Sequence, residues 1–455
     1  MKSGHLQINM ISGTGVVCFL CLFFFLGAAS AANLLEPIET PSSVNPVGSG
    51  ARALGMGGAF IAVADDATAA SWNPGGLIQL ESPEVSVVGA MFHRIEDNDF
   101  NTNPEASGRQ TLSKDNLNYL SLAFPFALWD RNMIVSVNYQ YLYDLNREWD
   151  FQLLQTSQTP PITSLNRQVG KIQSGHLSAL GLAYCIQMTP GLSLGVTLNI
   201  WNDTLDDNGW ELTSREQGTG SSQLGPFNYS YDRVDRYSFE GANVNLGMLW
   251  NINSHLTVGA VFKSPFTADL RHESDSFTAL RFPNNPLLDS VDAAPVIETE
   301  DEKLDMPVSY GIGLAWRFSD AFTMSADLYR TEWGDYVRTD AAGNKTSPVT
   351  GKSTDESDID ATHQVRFGGE YLFIGRKYIV PIRAGIFYDP VPADGNPDDY
   401  FGFSLGSGVA RGRCVFDMAY QYRFGRNVGS SMLQDFEFSQ DVDEHTVYAS
   451  LIIHF

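Results

Sequence analysis

Histidines and cysteines are the residues in this sequence whose chemistry could support catalysis or metal binding. Seven of the eight histidines lie singly along the chain, with no metal-ligand spacing and no nucleophile motif beside them. Those seven are His93, His176, His255, His272, His363, His445 and His454. Cys185 and Cys414 are isolated from each other, while Cys18 and Cys21 lie in an N-terminal apolar run, so no disulfide framework or CxxC metal site is expected. The sequence therefore predicts no enzyme, no metal and no cofactor.

Three arginines are the best candidates for orienting a ligand. Arg366, Arg383 and Arg423 each fall on the polar face of a segment that alternates between apolar and polar residues. A guanidinium there would pair with the carboxylate head of an otherwise apolar molecule. Acids such as Glu370 and Asp417 share these faces, so each arginine could instead neutralise a carboxylate of the protein itself. Both interpretations stay open at this stage.

The composition describes a folded, acidic chain without a nucleic-acid partner. Of its 455 residues 43% are hydrophobic and 18% are charged, and the formal net charge is −24. An apolar fraction this high excludes a disordered acidic polymer. Lys and Arg number 29 against 53 Asp and Glu, so the chain has no excess of positive charge with which to bind DNA or RNA.

The first 32 residues predict export. An unbroken apolar run from Val16 to Leu26 is followed by the small-residue string from Gly27 to Ala32. The run is too short to span a bilayer, which needs roughly 20 residues, but it fits the core of a secretory signal peptide. We expect residues 1–32 to be this signal. No later stretch is long and apolar enough for a transmembrane helix, so any membrane crossing must use strands.

From residue 83 to the C terminus the chain repeats one pattern, a strand-like segment with period-two alternation that ends in turn residues. We predict fourteen strands and an all-β, 14-stranded antiparallel transmembrane barrel over residues 83–455. The predicted strands span residues 83–92, 117–126, 133–145, 176–187, 192–203, 237–253, 256–273, 303–319, 322–333, 363–374, 378–390, 400–412, 414–424 and 444–455.

The lengths of the connections favour a membrane barrel over a soluble sandwich. Short connections, such as 188–191 and 320–321, alternate strictly with long ones, such as 204–236 and 334–362. Outer-membrane barrels have this asymmetry, with tight periplasmic turns and long external loops. Hydrocarbon also requires every backbone polar group to be paired within the protein, which antiparallel strands achieve only by closure.

Residues 33–82 interrupt this pattern and are predicted to form a plug inside the barrel. They are rich in Gly and Ala, with a short helix expected around residues 59–71. Small residues at this density let backbone pack against backbone in a crowded lumen. A plain periplasmic arm is the alternative. Gly48, Gly50 and Ala53 match GxGxxA, but no strand precedes them, so no dinucleotide site is expected.

Several motifs in order along the chain resemble the FadL/TodX family of outer-membrane transporters for hydrophobic compounds. The N-terminal run GARALGMGGAFIAVADDA at 50–67, followed by WNPGGL at 72–77, is similar to the family's N-terminal signature. The further matches are GAVFKSP at 259–265, MPVSYG at 306–311, Asp327 with TEW at 331–333, PIRAG at 381–385 and DPVP at 389–392. The resemblance covers nearly the whole chain after the signal.

The resemblance implies a 14-stranded barrel whose lumen is closed by an N-terminal hatch, here residues 33–82. Asn73 and Pro74 would occupy the family's Asn-Pro-Ala hatch motif, with Gly75 in place of its alanine, which frees the backbone at this turn. The residues expected to shape the hatch are Gly57, Gly58, Asp65, Asp66, Asn73, Pro74 and Gly75.

By the same resemblance, the expected function is passive uptake of hydrophobic compounds, most of all long-chain fatty acids or similar lipids and hydrocarbons, across the outer membrane of a Gram-negative cell. Release could be sideways into the bilayer. The alternative is a PorV-like barrel that acts as a secretion-system scaffold or shuttle. The expected partners are hydrophobic small molecules, membrane lipid with lipopolysaccharide, and the barrel assembly machinery, which would recognise the alternating last strand that ends at Phe455.

Aromatic and acidic residues in the predicted long loops complete the candidates. Trp149, Phe151 and Trp210, with Trp201 at a strand end, could form an outer foothold for an apolar ligand, or belong to an interfacial aromatic girdle. Acid clusters around residues 292–305 and 355–360 could be solvated surface charge or bridge through divalent cations to lipopolysaccharide.

Overall fold

The computed structural model describes residues 34–38, 45, 46, 48–158 and 160–455. The predicted signal peptide lies outside these residues. No helix within the described ranges has the length and hydrophobicity that a membrane span requires.

Fourteen antiparallel strands close into one barrel, as predicted. Two of them, β7 and β8, are each interrupted once. The strands are β1 (Glu84–Phe100), β2 (Gly108–Leu128), β3 (Arg131–Asp144), β4 (Ile162–Thr189), β5 (Leu192–Trp201), β6 (Gly225–Asn251), β7 (Leu256–Lys263 and Phe266–Arg281), β8 (Val296–Met306 and Ser309–Ser319), β9 (Phe322–Thr331), β10 (Thr362–Ile374), β11 (Ile379–Tyr388), β12 (Tyr400–Arg411), β13 (Cys414–Val428) and β14 (Phe438–His454).

Closure is made by the first and last strands. β1 pairs with β14 along their whole length, from Glu84 opposite His454 to Phe100 opposite Phe438. Every strand of the barrel therefore has two neighbours, which leaves no free sheet edge of the kind that hydrocarbon would not tolerate.

The alternation predicted from the sequence separates the two faces of the wall. Large apolar side chains point outward and are exposed, whereas the alternate residues, such as Ser325 and Asp417, are buried in the interior. The outward side chains form the band expected to contact lipid and include Leu122, Phe124, Val137, Ile312, Leu314, Trp316, Phe367, Phe373, Ile382, Ile386, Phe403 and Leu405.

Short turns join the strands at one end of the barrel. The turn between β2 and β3 consists of Trp129 and Asp130, both left-handed with φ of 53° and 54°, a pair that suits the twist of a two-residue hairpin. Because short turns face the periplasm in outer-membrane barrels, the opposite end is the external one.

The strands extend further at the external end than predicted. β4 begins at Ile162 and β6 at Gly225, whereas the sequence placed long loops there. Hairpin strands Arg147–Thr156 and Gly209–Ser222 pair with them and lengthen the wall. Alternation of apolar residues indicates contact with lipid. Backbone pairing, however, continues into water on exposed polar residues such as Asn166 and Gln168 of β4, so the predicted strand began too late.

The remaining elements of the connections are short. The α-helix is Asp203–Asp206, the strand pieces are Ser290–Val291, Val337–Thr339 and Lys345–Thr346, and the 3-10 helices are Pro104–Ala106, Pro286–Leu288, Trp333–Asp335, Thr354–Glu356 and Gln434–Phe436.

Residues 48–82, the lumenal segment, lie inside the barrel. They form helices α1 (Ala51–Gly55) and α2 (Ala69–Trp72) and a 3-10 helix, Pro74–Gln79. The helix predicted around residues 59–71 is wrong for most of that stretch, which is turns and extended chain. The amides of Phe60 and Ile61 donate to Asp327 of the wall, and those of Val63 and Ala64 close a local turn on the Phe60 carbonyl. Just before the segment, Asn45–Pro46 pairs with Tyr143 and Asp144 of β3.

Candidate functional site

Inward-facing glycines of the wall make room for the lumenal segment. A Cβ placed on any of them would lie within 3.0 Å of the segment's atoms, closer than real Cβ atoms come. These wall glycines are Gly195, Gly247, Gly259, Gly313, Gly368, Gly385 and Gly406. Glycine at inward positions of alternating strands is the sequence signal for this close packing, and it was not recognised from the sequence.

The turn at Asn73 is fixed by hydrogen bonds on every side. The buried Asn73 side chain donates to the carbonyls of Ile61 (2.7 Å) and Met248 (2.9 Å) and accepts from the Gly75 amide (3.1 Å). Pro74 begins the 3-10 helix, and the hydroxyl of Ser193 donates to the Gly75 carbonyl (2.7 Å).

Gly75 is required here by close approach to the wall. A Cβ on Gly75 would lie 2.9 Å from the backbone nitrogen of Leu249 and 3.0 Å from the backbone of Gly247. From the sequence, Gly75 was expected to give the backbone freedom at this turn. The structure shows instead that the neighbouring wall strand lies too close for any larger side chain.

The other expected hatch residues occupy a second contact region. Gly57 and Gly58 are left-handed, with φ of 69° and 74°, and the Gly57 amide donates to the hydroxyl of Ser404 (2.8 Å). Asp65 pairs with Arg52. Asp66 is buried and accepts from the backbone amide of Thr68 (2.8 Å), which orders the chain before α2.

Arg383 is committed to protein carboxylates. It donates to Glu370 and to Asp417, at 2.5 Å each, and only 4% of its side chain is exposed. Arg52 of α1 reaches the same Glu370 (2.9 Å), so this cluster ties the lumenal segment to β10, β11 and β13. Because both of its carboxylate partners are occupied within the protein, Arg383 is not available to a ligand.

Arg423 and Arg366 are less tightly held. Arg423 pairs with Glu444 (2.9 Å) and lies 3.6 Å from Asp389. The nearest carboxylate oxygen to Arg366 is that of Asp389, at 3.4 Å, and Arg366 also donates to Gln364 (3.1 Å). The three predicted arginines thus share the inner wall, but Arg366 has the weakest ion pairing.

A chamber lies external to the lumenal segment and is lined by apolar residues and by polar ones, among them Asn199, Asn243 and Asn245. It holds about 1120 Å³ of empty space, part of it open to solvent. The apolar lining consists of Ile61, Trp72, Leu142, Tyr143, Trp201, Phe266, Met306, Tyr329 and Trp333. The breaks in β7 and β8 lie side by side in its wall, since Lys263 is opposite Ser309 and Phe266 opposite Met306.

Two cations and one acid line this chamber. The ammonium group of Lys263 lies 5.8 Å from the Tyr329 ring and has no carboxylate oxygen within 4.0 Å in the described chain. The Arg366 guanidinium lies 5.7 Å from the ring of Trp72. Asp327 accepts the amides of Phe60 and Ile61 (2.7 and 2.9 Å), so its charge is used to position the segment. The sequence analysis included Lys263 only within the motif at 259–265 and did not identify it as a ligand candidate.

The chamber adjoins a second cavity, and that cavity adjoins a gap in the wall. Gly48, Trp72 and Arg366 line both the chamber and this narrow inner cavity. Asn116 and Tyr141 line both this inner cavity and a lateral pocket of about 1440 Å³, some of it open space.

The lateral pocket exists because two neighbouring strands separate. The β2–β3 ladder runs from Leu128 opposite Arg131 only as far as Tyr119 opposite Gln140. At that point β2 bulges at Asn118, whose buried side chain accepts from the Gly50 amide (3.1 Å) and donates to the Gly48 carbonyl (2.9 Å). The lumenal segment thus holds the bulge that opens the wall.

The loop aromatics are buried, which excludes the lipid-facing girdle, one of the two alternatives left open by the sequence. Trp149 and Phe151 pack with Phe100 and Phe438 near the external end, and Trp201 and Trp210 belong to an apolar cluster above the membrane band. The reason is that strands extend beyond the membrane and enclose an interior there. Trp201 alone of the four lines the chamber.

An ionic network crosses the external part of the wall at His272. Its ring nitrogens lie 2.8 Å from Asp235 and 2.9 Å from Glu302, and these acids pair with Arg233 and Arg338. Burial lowers the pKa of His272, but the hydrogen bonds to the two carboxylates outweigh it and raise the pKa above its ordinary value. The ligand atoms of His272, Glu302 and the nearby Glu300 lie within 4.8 Å of one another, yet His272 and Glu302 use theirs in these pairs, so the network has a structural role.

Comparisons with known proteins agree with this architecture. The protein is similar to a FadL homologue of Pseudomonas aeruginosa, with 13% identity over 91% of this chain and 99% of the other, at a TM-score of 0.58. It is also similar to the toluene transporter TodX of Pseudomonas putida (14% identity, 92% and 100% coverage, TM-score 0.53) and to the CymD monoaromatic hydrocarbon channel (16%, 91% and 99%, 0.51). At these identities the likeness shows the fold. A search of curated proteins finds no match.

A family sequence model gives the more direct result. The model described as outer membrane protein transport protein (OMPP1/FadL/TodX) matches residues 43–446, most of the chain. Members of this family are channel-type transporters of hydrophobic compounds in the outer membrane and not enzymes. The chain belongs to the OMPP1/FadL/TodX family of outer-membrane transport proteins.

Proposed function

We propose that this transporter carries amphipathic hydrophobic molecules with a carboxylate head, in the first place long-chain fatty acids. The observation behind this proposal is the pairing of an apolar chamber with two incompletely neutralised cations, Lys263 and Arg366. Burial of an acyl chain contributes about 25 cal/mol per Å² of apolar surface. A charge-assisted hydrogen bond to the head adds roughly 1.5–3 kcal/mol.

The neighbouring structures include a toluene transporter and a monoaromatic hydrocarbon channel. Such hydrocarbons have no charged head and would gain nothing from Lys263 or Arg366. The chamber of this chain therefore favours a carboxylate over a plain hydrocarbon.

The route we propose runs from the chamber through the inner cavity to the gap between β2 and β3, and then sideways into the bilayer. The residues that the successive cavities share support it: Trp72 and Arg366 at the first junction, Asn116 and Tyr141 at the second. On this route the lumenal segment, residues 48–82 of the N-terminal domain predicted over 33–82, acts as the hatch, because its Trp72 lies at the first junction. Transport is passive and follows the concentration gradient.

The head-group assignment is tested by uptake of labelled oleate and toluene into cells. We expect Lys263→Ala with Arg366→Ala to reduce oleate uptake by about tenfold or more, from the loss of charge-assisted hydrogen bonds, and to leave toluene uptake unchanged. Arg109→Ala, which breaks an exposed ion pair with Asp97, is the control. Equal oleate uptake in the double variant and the control would reject the carboxylate preference.

The lateral route is tested by filling its neck. Asn116→Trp places a large ring where the inner cavity meets the gap, and we expect oleate uptake to fall severalfold. Leu122→Trp, on the lipid-facing side of the same strand, should transport normally.

If the wild-type protein takes up neither oleate nor toluene, with or without residues 33–82, the transport proposal fails and the PorV-like scaffold role becomes the better one.

We also propose two partners outside the transport path. The last strand alternates to Phe455, which remains exposed at the periplasmic end and whose amide donates to the Pro83 carbonyl (2.9 Å), so the assembly machinery could recognise it. Deleting Phe455 should lower the amount of folded barrel in the membrane.

The acidic external loops would contact lipopolysaccharide through divalent cations, and chelation of Mg²⁺ should then weaken co-purification of lipopolysaccharide.

A further inference from the structure

Residues 34–38, the N-terminal arm, lie in the external part of the barrel, far from the lumenal segment. Their main chain is bound by three side chains of the wall. The Tyr229 hydroxyl donates to the Leu35 carbonyl (3.3 Å), Arg167 donates to the Glu36 carbonyl (2.9 Å), and the Ile38 amide donates to Glu216 (2.8 Å). Groups on the wall thus recognise the peptide backbone at successive positions.

The two charged groups that bind the arm are fully enclosed. Arg167 has 2% and Glu216 0% of its side chain exposed, and they pair at 2.6 Å. Burying such a pair is costly unless its remaining hydrogen-bonding capacity is used. The arm satisfies part of this capacity, because Arg167 donates to its backbone and Glu216 accepts from it.

Apolar side chains of the arm fill two separate pockets. Leu34 packs with Leu165, Phe227, Tyr229 and Phe282, whereas Ile38 belongs to the cluster of Phe100, Trp149, Phe151 and Phe438. The first pocket is built mainly by β6 and the chain after β7, the second by β1, β14 and the hairpin strand 147–156. The arm therefore runs beside β4, whose Leu165 and Val169 belong to the first and the second pocket.

We propose that the external mouth contains a binding slot for an extended peptide with aliphatic residues at positions i and i+4, and that the chain's own N-terminal arm occupies it as a gate. While bound, the arm occupies part of the external mouth above the chamber, and cargo enters more readily when the arm leaves. The statement about cargo rests on the proposed transport function, whereas the slot and its occupant do not.

The position of the arm is tested in intact cells with a membrane-impermeant maleimide. Glu36 is exposed, so Glu36→Cys should be labelled without lysis. Cys414, exposed at the short-turn end, should react only after lysis and serves as the control for impermeability. Labelling of Glu36→Cys only after lysis would overturn the proposal.

Gating is tested by releasing the arm in the full chain. Leu165→Cys, in a Cys414→Ser background, lies beneath Leu34 and should be protected. Adding Leu34→Ser and Ile38→Ser should raise the labelling rate of Leu165→Cys by about tenfold or more, since burial of each aliphatic side chain stabilises the bound arm by at least that factor. Glu36→Gln, which leaves the backbone contacts and both pockets intact, should change nothing, and the buried Cys185 should stay unlabelled throughout.

Equal labelling of Leu165→Cys with and without the arm substitutions would reject the slot. Oleate uptake provides the second measurement: we expect it to rise severalfold in Leu34→Ser with Ile38→Ser, and an unchanged or lower rate would reject the gate. Absence of uptake in the wild type would contradict the transport function alone, because labelling does not depend on cargo.

Discussion

Charged side chains inside this barrel are distributed by function at the scale of single residues. Arg383 lies between the carboxylates of Glu370 and Asp417, and Glu370 also binds Arg52 of the lumenal segment. Lys263, by contrast, faces the chamber without a carboxylate within 4.0 Å in the described chain. A basic residue on the inward face of the wall thus stabilises the fold at one position and is available to a ligand at another.

Loss of Arg383 should destabilise the barrel strongly. Arg383→Ala leaves Glu370 and Asp417 buried without this partner, which costs about 3–5 kcal/mol. We expect a lower free energy of unfolding in detergent, measured by urea titration of tryptophan fluorescence. The control is Arg215→Ala, because its ion pair with Asp232 is exposed, and an effect of equal size there would contradict the assignment.

Gly75→Ala should loosen the lumenal segment without unfolding the wall. Its Cβ would meet the backbone of β6 at 2.9 Å, an overpacking that costs about 1–3 kcal/mol. Hydrogen exchange should become faster at the amides of residues 72–80 and stay unchanged in β1 and β14. Gly108→Ala, with open space around it, is the matched control, and uniform protection in both variants would reject the close-contact argument.

At the scale of elements, the external wall is joined to the loop between β9 and β10. Strand piece Val337–Thr339 pairs with β8, and its Arg338 binds Glu302, which is also the partner of His272. The same loop contributes Trp333 and Tyr336 to the apolar cluster above the membrane band. One ionic network therefore links three wall strands to the loop.

This network should depend on pH in a defined direction. His272 has a raised pKa in the folded protein, so its stabilising effect is complete below the ordinary histidine pKa of about 6.5 and is lost as pH rises through the folded value. We expect faster hydrogen exchange at Val337–Thr339 at pH 9 than at pH 6, after correction for intrinsic rates. His272→Gln should abolish that difference. The flanking charges are Asp235, Glu302, Glu300, Arg233 and Arg338.

At the scale of the whole molecule, the barrel is a membrane cylinder continued by a water-exposed collar. Outward residues of β8 are apolar from Ile312 to Trp316, whereas outward residues of β7 beyond Phe266 are polar. The membrane boundary therefore lies near the two strand breaks, at the level of the chamber. A ligand entering from the collar reaches the chamber at the depth where the surrounding lipid begins.

The position of the membrane band can be measured by charge substitution. Leu314→Arg, outward near the middle of the band, should cost about 2–4 kcal/mol of folding free energy in lipid bilayers. Asp269→Arg, outward on the collar, should cost little, because its side chain stays in water. Similar costs at both sites would place the band elsewhere.

The sequence by itself determined the barrel and its strand number, because lipid on one side and water on the other impose alternation on segments such as 414–424. The sequence could not locate the strand ends, since backbone pairing continues beyond the lipid. It also could not distinguish Arg366 from Arg383, since both occupy polar positions of alternating segments. Only the tertiary structure decided which cation meets a carboxylate, why Gly75 must be small, and that the arm at residues 34–38 returns to the external mouth. Those properties depend on distances between residues far apart in the chain, which periodicity does not encode.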